Sequence, residues 1–183
     1  HSRLAPGARL SREDLLRLAL MSSENRATHA LCRRYPDGLA ACVRAMNDKA
    51  AALGMGTARF VEPTGLSSRN VASPEDLAKL VLAASANPLV RDYSTAASHT
   101  VLVNRQPIEY RNTNLLVGNP AWQVSVQKTG YISEAGRCLV MQAVIDGRQV
   151  VIVLLNSYGK LTRIADAKRI RTWMELRRRA EAG

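Results

Sequence analysis

Residues 121–155 read AWQVSVQKTGYISEAGRCLVMQAVIDGRQVVIVLL. Three runs in this stretch have strand character, at 121–128, 137–145 and 148–155. The last two are separated by Asp146-Gly147 alone. An Asp-Gly pair between apolar runs is a strong hairpin signal, because a tight primed turn needs positive φ at both residues. Residues 121–128 alternate, which predicts Val124 and Val126 on one face and Ser125 and Gln127 on the other. Together the runs predict an antiparallel meander. The apolar run 150–155 reads as a buried strand, since a bilayer span needs about 20 residues; no transmembrane segment is expected.

Outward from the meander the pattern turns helical. Downstream, Ile164, Ala167, Ile170, Trp173 and Met174 share one face of a helix starting near Leu161, and that stripe needs a covering element. Upstream lie a short strand at 99–103, a turn at 104–107 and a possible return at 108–111. Ser11 is a good N-cap, and Asp14 completes a capping-box variant. The apolar Leu15, Leu16, Leu18, Ala19 and Leu20 follow. A second helix, 26–34, stops at Tyr35-Pro36-Asp37-Gly38. A third, 39–53, has Val43, Met46, Ala50 and Leu53 at helical spacing and stops at Gly54. Ser73 caps a fourth, with Pro74 at its first position, a stripe of Leu77, Leu80, Val81 and Ala84, and Asn87-Pro88 at its end. The fold class is α+β, helices packed on an antiparallel sheet, in a single domain over 1–183 without internal repeats.

The totals agree with that class. The 183 residues, 46% apolar, suffice for one substantial core, and only 4% are aromatic, so aliphatic side chains must fill it. Net charge is +11, concentrated late: Lys160, Arg163, Lys168, Arg169, Arg171, Arg177, Arg178 and Arg179 face only Asp166, Glu175 and Glu181. Such a surface suits nucleic acid, anionic lipid or an acidic polymer. No zinc-finger or RNA-recognition signature accompanies it, so a solvated helix face is favoured and no nucleic acid is expected. Cys32, Cys42 and Cys138 form no C-x-x-C pair and lie far from His1, His29 and His99. No metal or cofactor is expected. The cysteines read best as small buried hydrophobes, with a Cys32–Cys42 disulfide left open.

Two triplets carry the chemistry: Ser23-Glu24-Asn25 at the end of the first helix and Lys128-Thr129-Gly130 at the end of an alternating strand. Each alone is common. In this order they are the pairing of penicillin-binding proteins and class A β-lactamases. Glu62-Pro63-Thr64-Gly65-Leu66, Asn70, Ser73-Pro74-Glu75-Asp76-Leu77-Ala78, Asn112-Thr113-Asn114-Leu115 and Glu134-Ala135-Gly136 add to the match. From about residue 10 to 173 the chain resembles the low-molecular-mass penicillin-binding proteins that act as D-alanyl-D-alanine endopeptidases and carboxypeptidases.

That resemblance implies a serine β-lactamase/D,D-peptidase-like fold and hydrolysis through an acyl-enzyme on serine. It implies that Ser23 relays a proton and Asn25 holds the substrate amide. Lys128 supplies positive charge, Thr129 binds the substrate carboxylate, and Gly130 lets ligand approach the backbone. The Tyr131 N–H donates to the oxyanion. The implied partners are peptidoglycan stem peptides and β-lactam antibiotics, and the implied location is the periplasm of a Gram-negative bacterium. The family also needs a Ser-x-x-Lys at the start of a helix upstream of Ser23, and none is present. Ser125 to Lys128 and Ser157 to Lys160 match formally, but a strand and a turn do not bring positions three apart together.

The expectation is therefore the larger, C-terminal part of one D,D-peptidase domain, inactive alone, with the N-terminal segment as a separate piece or missing. His1 is neither an initiator Met nor the start of a signal peptide, which fits a processed product or fragment. Loss of that segment would bare a sheet edge and apolar helix faces. The alternatives are a carboxypeptidase, a β-lactamase on the same fold, and a non-catalytic module binding peptidoglycan or nucleic acid. The β-lactamase reading lacks the Glu-x-x-Leu-Asn of a deacylating loop. Among the other residues, His29 reads as structural, Glu24 should point away from the cleft, Tyr110 and Tyr131 are groove candidates, and Tyr93 is packing.

Overall fold

The computed structural model describes residues 2–182; His1 and Gly183, the ends of the expected 1–183 domain, lie outside the described residues. Five helices precede the strands: α1 (Arg12–Ser22), α2 (Asn25–Arg33), α3 (Gly38–Ala52), α4 (Pro74–Ser85) and α5 (Pro88–Ser94). Then come β1 (Ser98–Val103), β2 (Gln106–Arg111), β3 (Gln123–Ile132), β4 (Gly136–Ile145), β5 (Arg148–Ser157) and α6 (Thr162–Ala182). The three long strands form the meander β3-β4-β5, and β1-β2 form a separate hairpin. Asp146 and Gly147 close the β4–β5 hairpin with φ of 53° and 76°, as a primed turn requires.

Alternating side chains of β4 and β5 build the larger core. Leu139, Met141, Ala143, Ile145 and Ile152 meet Ile164 and Ala167 of α6, with Leu116 and Trp122 closing the side. Each large apolar side chain so buried contributes about 1.5–3 kcal/mol. A second core joins Leu18, Met21 and Ala27 of α1 and α2 to Val101, Val103 and Tyr110 of the short hairpin. Both outer strands of the meander lack a second neighbour among the described residues, and Leu155, Leu161, Trp173 and Leu176 are exposed.

Four expectations need correction. The alternation of residues 121–128 breaks, because Val124 pairs with Ala143 but Val126 with Gln142. One extra residue in β3 turns the two valines to opposite faces. The turn after β1 holds only Asn104 and Arg105, both at positive φ, rather than four residues. Asn87-Pro88 ends α4 but also starts α5: the Asn87 side chain accepts from Leu89 N, and Pro88 sits at the first helical position.

The fourth correction is chemical. Cys32 and Cys42 are joined in a disulfide, which ties α2 to α3, and Cys138 stays free. The bridge closes a loop with a sequence separation of 10. Loop-closure entropy sets its worth at about 2.5 kcal/mol. Cys42→Ala is therefore expected to lower the urea midpoint measurably, and reduction with dithiothreitol should do the same to the wild type but not to the variant. An unchanged midpoint in both would refute the bridge.

Candidate active site

The site begins with a backbone constraint. α1 ends at Ser22, and Ser23 takes the left-handed conformation at φ 57° and ψ 39°. Such a conformation costs a non-glycine residue about 1 kcal/mol or more. The Leu18 carbonyl receives the Ser23 N–H and also that of Glu24, at 3.2 Å, which fixes the turn. Glu24 is buried, and its carboxylate accepts from Arg26 N at 3.1 Å and Arg3 N at 3.2 Å. It caps α2 and braces the N-terminal segment, so Asn25 opens α2 from a fixed position. Glu24 is thus spent on backbone N–H groups.

Lys128 arrives from β3. Its Nζ donates to Ser23 Oγ at 2.6 Å and to the Thr129 carbonyl at 2.6 Å. Two residues separated by 105 positions are thus brought into contact. Burial pushes the ammonium pKa down from 10.5 to about 8. A cavity of about 530 Å³ is lined by Ser23, Asn25 and Lys128 together with Leu16, Leu20 and Thr64.

The next residues continue along the strand. Thr129 is buried, with its hydroxyl 2.6 Å from that of Thr113. Gly130 pairs with Cys138, and a Cβ there would meet the Cys138 Cβ at an ordinary 3.8 Å. Sheet packing therefore does not demand this glycine. Tyr131 is exposed, with the Arg137 guanidinium 4.4 Å over its ring. Tyr110, by contrast, is 3% exposed within the second core under Arg3, so Tyr131 alone of the two groove candidates is open to solvent. Tyr93 is buried, as its packing role requires.

Asn112-Thr113-Asn114 explains why the two triplets meet. Thr113 N donates to the Met21 carbonyl at 3.0 Å while its hydroxyl reaches Thr129, so one residue spans α1 and β3. Asn112 Nδ2 donates to the carbonyls of Ser94 and Ala96, and its Oδ1 accepts from Gln127 Nε2 at 3.0 Å. Asn114 Oδ1 accepts from Leu116 N at 3.0 Å. Asn112 and Asn114 use their amides in both directions, Asn114 Nδ2 reaching Met141 Sδ at 3.9 Å, whereas Gln127 Oε1 is buried without a partner. The sequence motif was legible as part of the resemblance, but its bridging role was not.

Sequence reasoning placed Arg163 only in a basic tail. In the structure its Nε and Nη1 are buried without a hydrogen-bond partner. Burial, then the nearby Arg137, lower its pKa against the pull of Cys138. Cys138 is the cross-strand partner of Gly130, so an unsatisfied cation lies beside the end of the Lys-Thr-Gly strand. The two formal Ser-x-x-Lys matches are not sites: Ser125 Oγ donates to Gln142 within the sheet, and Ser157 ends β5.

Known proteins resemble this chain in sequence and fold. The peptidase S11 family, described as D-alanyl-D-alanine carboxypeptidase, matches residues 1–159. The chain is 48% identical over 177 residues to a D-alanyl-D-alanine endopeptidase of Pseudomonas aeruginosa, covering 95% of this chain and 57% of that protein. It is 45% identical over 177 residues to one of Escherichia coli, covering 96% and 57%. It thus spans little more than half the length of these relatives. The crystal structure of the Streptomyces K15 DD-transpeptidase superposes with a TM-score of 0.85 at 26% identity, over 93% of this chain and 70% of that one. The D,D-peptidase-like fold implied by the motifs is the fold observed, and the chain belongs to the peptidase S11 family.

Proposed function

We propose that these residues form the greater part of a serine-type D-alanyl-D-alanine endopeptidase domain that cuts peptidoglycan crosslinks in the periplasm. The observation that carries the reading is the 2.6 Å contact between Lys128 Nζ and Ser23 Oγ in a cavity shared with Asn25. The nucleophilic serine and its lysine base come from residues outside these 183. The serine hydroxyl attacks the D-alanyl carbonyl, its proton passes to the base, and Ser23 relays a proton to the leaving nitrogen. A hydroxyl donates and accepts at once, as a relay requires. Asn25 holds the substrate amide, and the Tyr131 N–H stabilises the oxyanion.

Lys128 and Thr129 face the substrate carboxylate, with Gly130 leaving the strand backbone open to it. The unpartnered nitrogens of Arg163 supply further positive charge at that end. The endopeptidase reading rests on the names of the relatives at 48% and 45% identity; the family description favours a carboxypeptidase as the second reading. No described helix is long and apolar enough to cross a membrane.

Labelling by a fluorescent penicillin tests the proposal. Protein that includes the preceding segment is expected to label covalently, and Ser23→Ala to label about a hundredfold more slowly. The 183-residue chain alone is expected not to label. Absence of labelling in the longer protein, or equal labelling of the variant, would refute these roles. Rapid nitrocefin turnover would point to a β-lactamase instead.

A further inference from the structure

The cavity around Lys128 has one wall whose attachment is covalent. Tyr35, Cys42 and Met46 line it together with Ser23, Asn25 and Lys128. Cys32 lines it too, from α2, the helix that Asn25 opens two turns earlier. Helical rise puts those two positions roughly 10 Å apart.

The helix on the other side of the disulfide, α3, is held unevenly. Of its 15 residues only Ala50 is buried. Its C-terminal end is pinned to α4: Lys79 Nζ donates to the Gly54 carbonyl, and the Asp76 carboxylate accepts from Thr57 N and the Thr57 hydroxyl, both at 2.7 Å. Its middle is tied to the following loop. Asn47 Oδ1 accepts from Phe60 N at 2.9 Å, and Asn47 Nδ2 donates to the Phe60 carbonyl at 2.8 Å. The N-terminal end has no such tie among the described residues. Asp37 precedes it at φ 62° without a side-chain cap bond, and Tyr35, Pro36, Asp37, Leu39 and Ala40 are exposed. A helix start with uncapped N–H groups is the end that frays. The Cys32–Cys42 bond is what holds it against α2.

The geometry points to this disulfide as a redox latch on the site: oxidised, it closes the Tyr35–Met46 wall around Lys128 and Ser23; reduced by a dithiol, it releases the N-terminal half of α3 and slows acylation. The inference rests on the peptidase reading, in which Ser23 and Lys128 act on the bound substrate. Cys42 is the sulfur within reach, since it is half-buried whereas Cys32 is 4% exposed. A thiolate of the dithiol attacks Cys42 Sγ, the Cys32–Cys42 bond breaks, and Cys32 leaves as a thiolate that takes up a proton. The second thiol of the reductant then displaces Cys42, which is protonated in turn, and the reductant closes to a cyclic disulfide. Two electrons and two protons thus pass from the dithiol to the cysteines.

The effect reaches Lys128 through water. Burial is what lowers its pKa to about 8, and Arg12 is the other charged residue lining the cavity. A released wall admits water, relieves that burial and returns the ammonium toward its ordinary 10.5.

Penicillin labelling tests the latch in the protein with its preceding segment, at a temperature where circular dichroism shows both redox forms folded. Dithiothreitol is expected to slow acylation about tenfold, as for a modest loss of alignment, and to move its decline from about pH 8 to higher pH. Reoxidation should restore both. Cys42→Ala should match the reduced protein and ignore dithiothreitol, while Cys138→Ser, which removes the free thiol, should respond as wild type does. With reduction confirmed by thiol titration, an unchanged rate, an unmoved pH profile, or a response lost in Cys138→Ser would overturn the inference, while labelling of the oxidised protein leaves the peptidase reading standing. Protein that labels in neither redox state overturns both.

Discussion

Lys128→Met is expected to slow penicillin acylation of the protein bearing the nucleophile about a thousandfold and to raise its Tm. The kinetic half follows from charge. The ammonium is the donor that orients Ser23 Oγ, at 2.6 Å, and in the proposed mechanism it faces the place where substrate carboxylate and oxyanion charge collect. Removing a preorganised donor of this kind costs ~10²–10³ in rate, and misorienting the relay adds to that. The stability half follows from burial. The folded protein holds Lys128 at about 8 against an ordinary 10.5.

The sign is fixed by proton counts. Below pH 8 both states are protonated, and the folded state carries the full cost of enclosing a cation. Between pH 8 and 10.5 the unfolded chain binds more protons, so stability from this group rises with pH. Methionine fills the same length without that cost, so it raises Tm at neutral pH and flattens the rise. The same titration predicts that wild-type acylation declines as pH climbs past about 8, where Lys128 loses its charge. Calorimetry and stopped-flow labelling check both halves; undiminished acylation would remove Lys128 from the chemistry.

How much of this was legible depended on how local the cause was. The meander was readable because Asp146-Gly147 permits one turn and the flanking runs permit little else. The capping residues Ser11 and Ser73 were readable because a side-chain oxygen three residues before a backbone N–H is a local event: Asp14 N meets Ser11 Oγ at 2.9 Å and Asp76 N meets Ser73 Oγ at 3.2 Å. The disulfide was not, since pairing depends on how α2 packs on α3. Nor was the bulge in β3, which Ser125 marks only by its bond to the Gln142 carbonyl across the strand. The site divides the same way. Its motifs were visible as ordered triplets, while the bridging role of Thr113 and the unpaired nitrogens of Arg163 exist only once β3, α1 and α6 converge.

Gly136→Ala is the substitution expected to cost the most stability, about 3 kcal/mol, and its size can be separated into causes. Gly136 has φ +64°, so alanine there carries a conformational penalty of about 1 kcal/mol. A Cβ would also lie 2.7 Å from Asn156 Oδ1 and 3.0 and 3.1 Å from the Asn156 Cα and C. Asn156 is itself at φ 55°, in the one-residue excess of β5 between the pairs Leu139–Leu154 and Arg137–Ser157. The side chain can turn away, but its backbone is pinned by the flanking pairs, so overpacking adds about 1–3 kcal/mol. Gly147 supplies the control. Its φ is +76° and nothing lies within 4 Å of a Cβ there, so Gly147→Ala should show the conformational penalty alone. Asn156→Gly in the Gly136→Ala background removes the 2.7 Å contact but not the backbone contacts, and should restore only part of the loss. Urea unfolding followed by circular dichroism reads all three. Equal losses at Gly136 and Gly147, or full rescue by Asn156→Gly, would contradict a backbone clash. The consequence for the site is direct: Gly136 pairs with Ile132 and Arg137 with Tyr131, so forcing β4 away from β5 displaces the end of β3 that follows Lys128, Thr129 and Gly130.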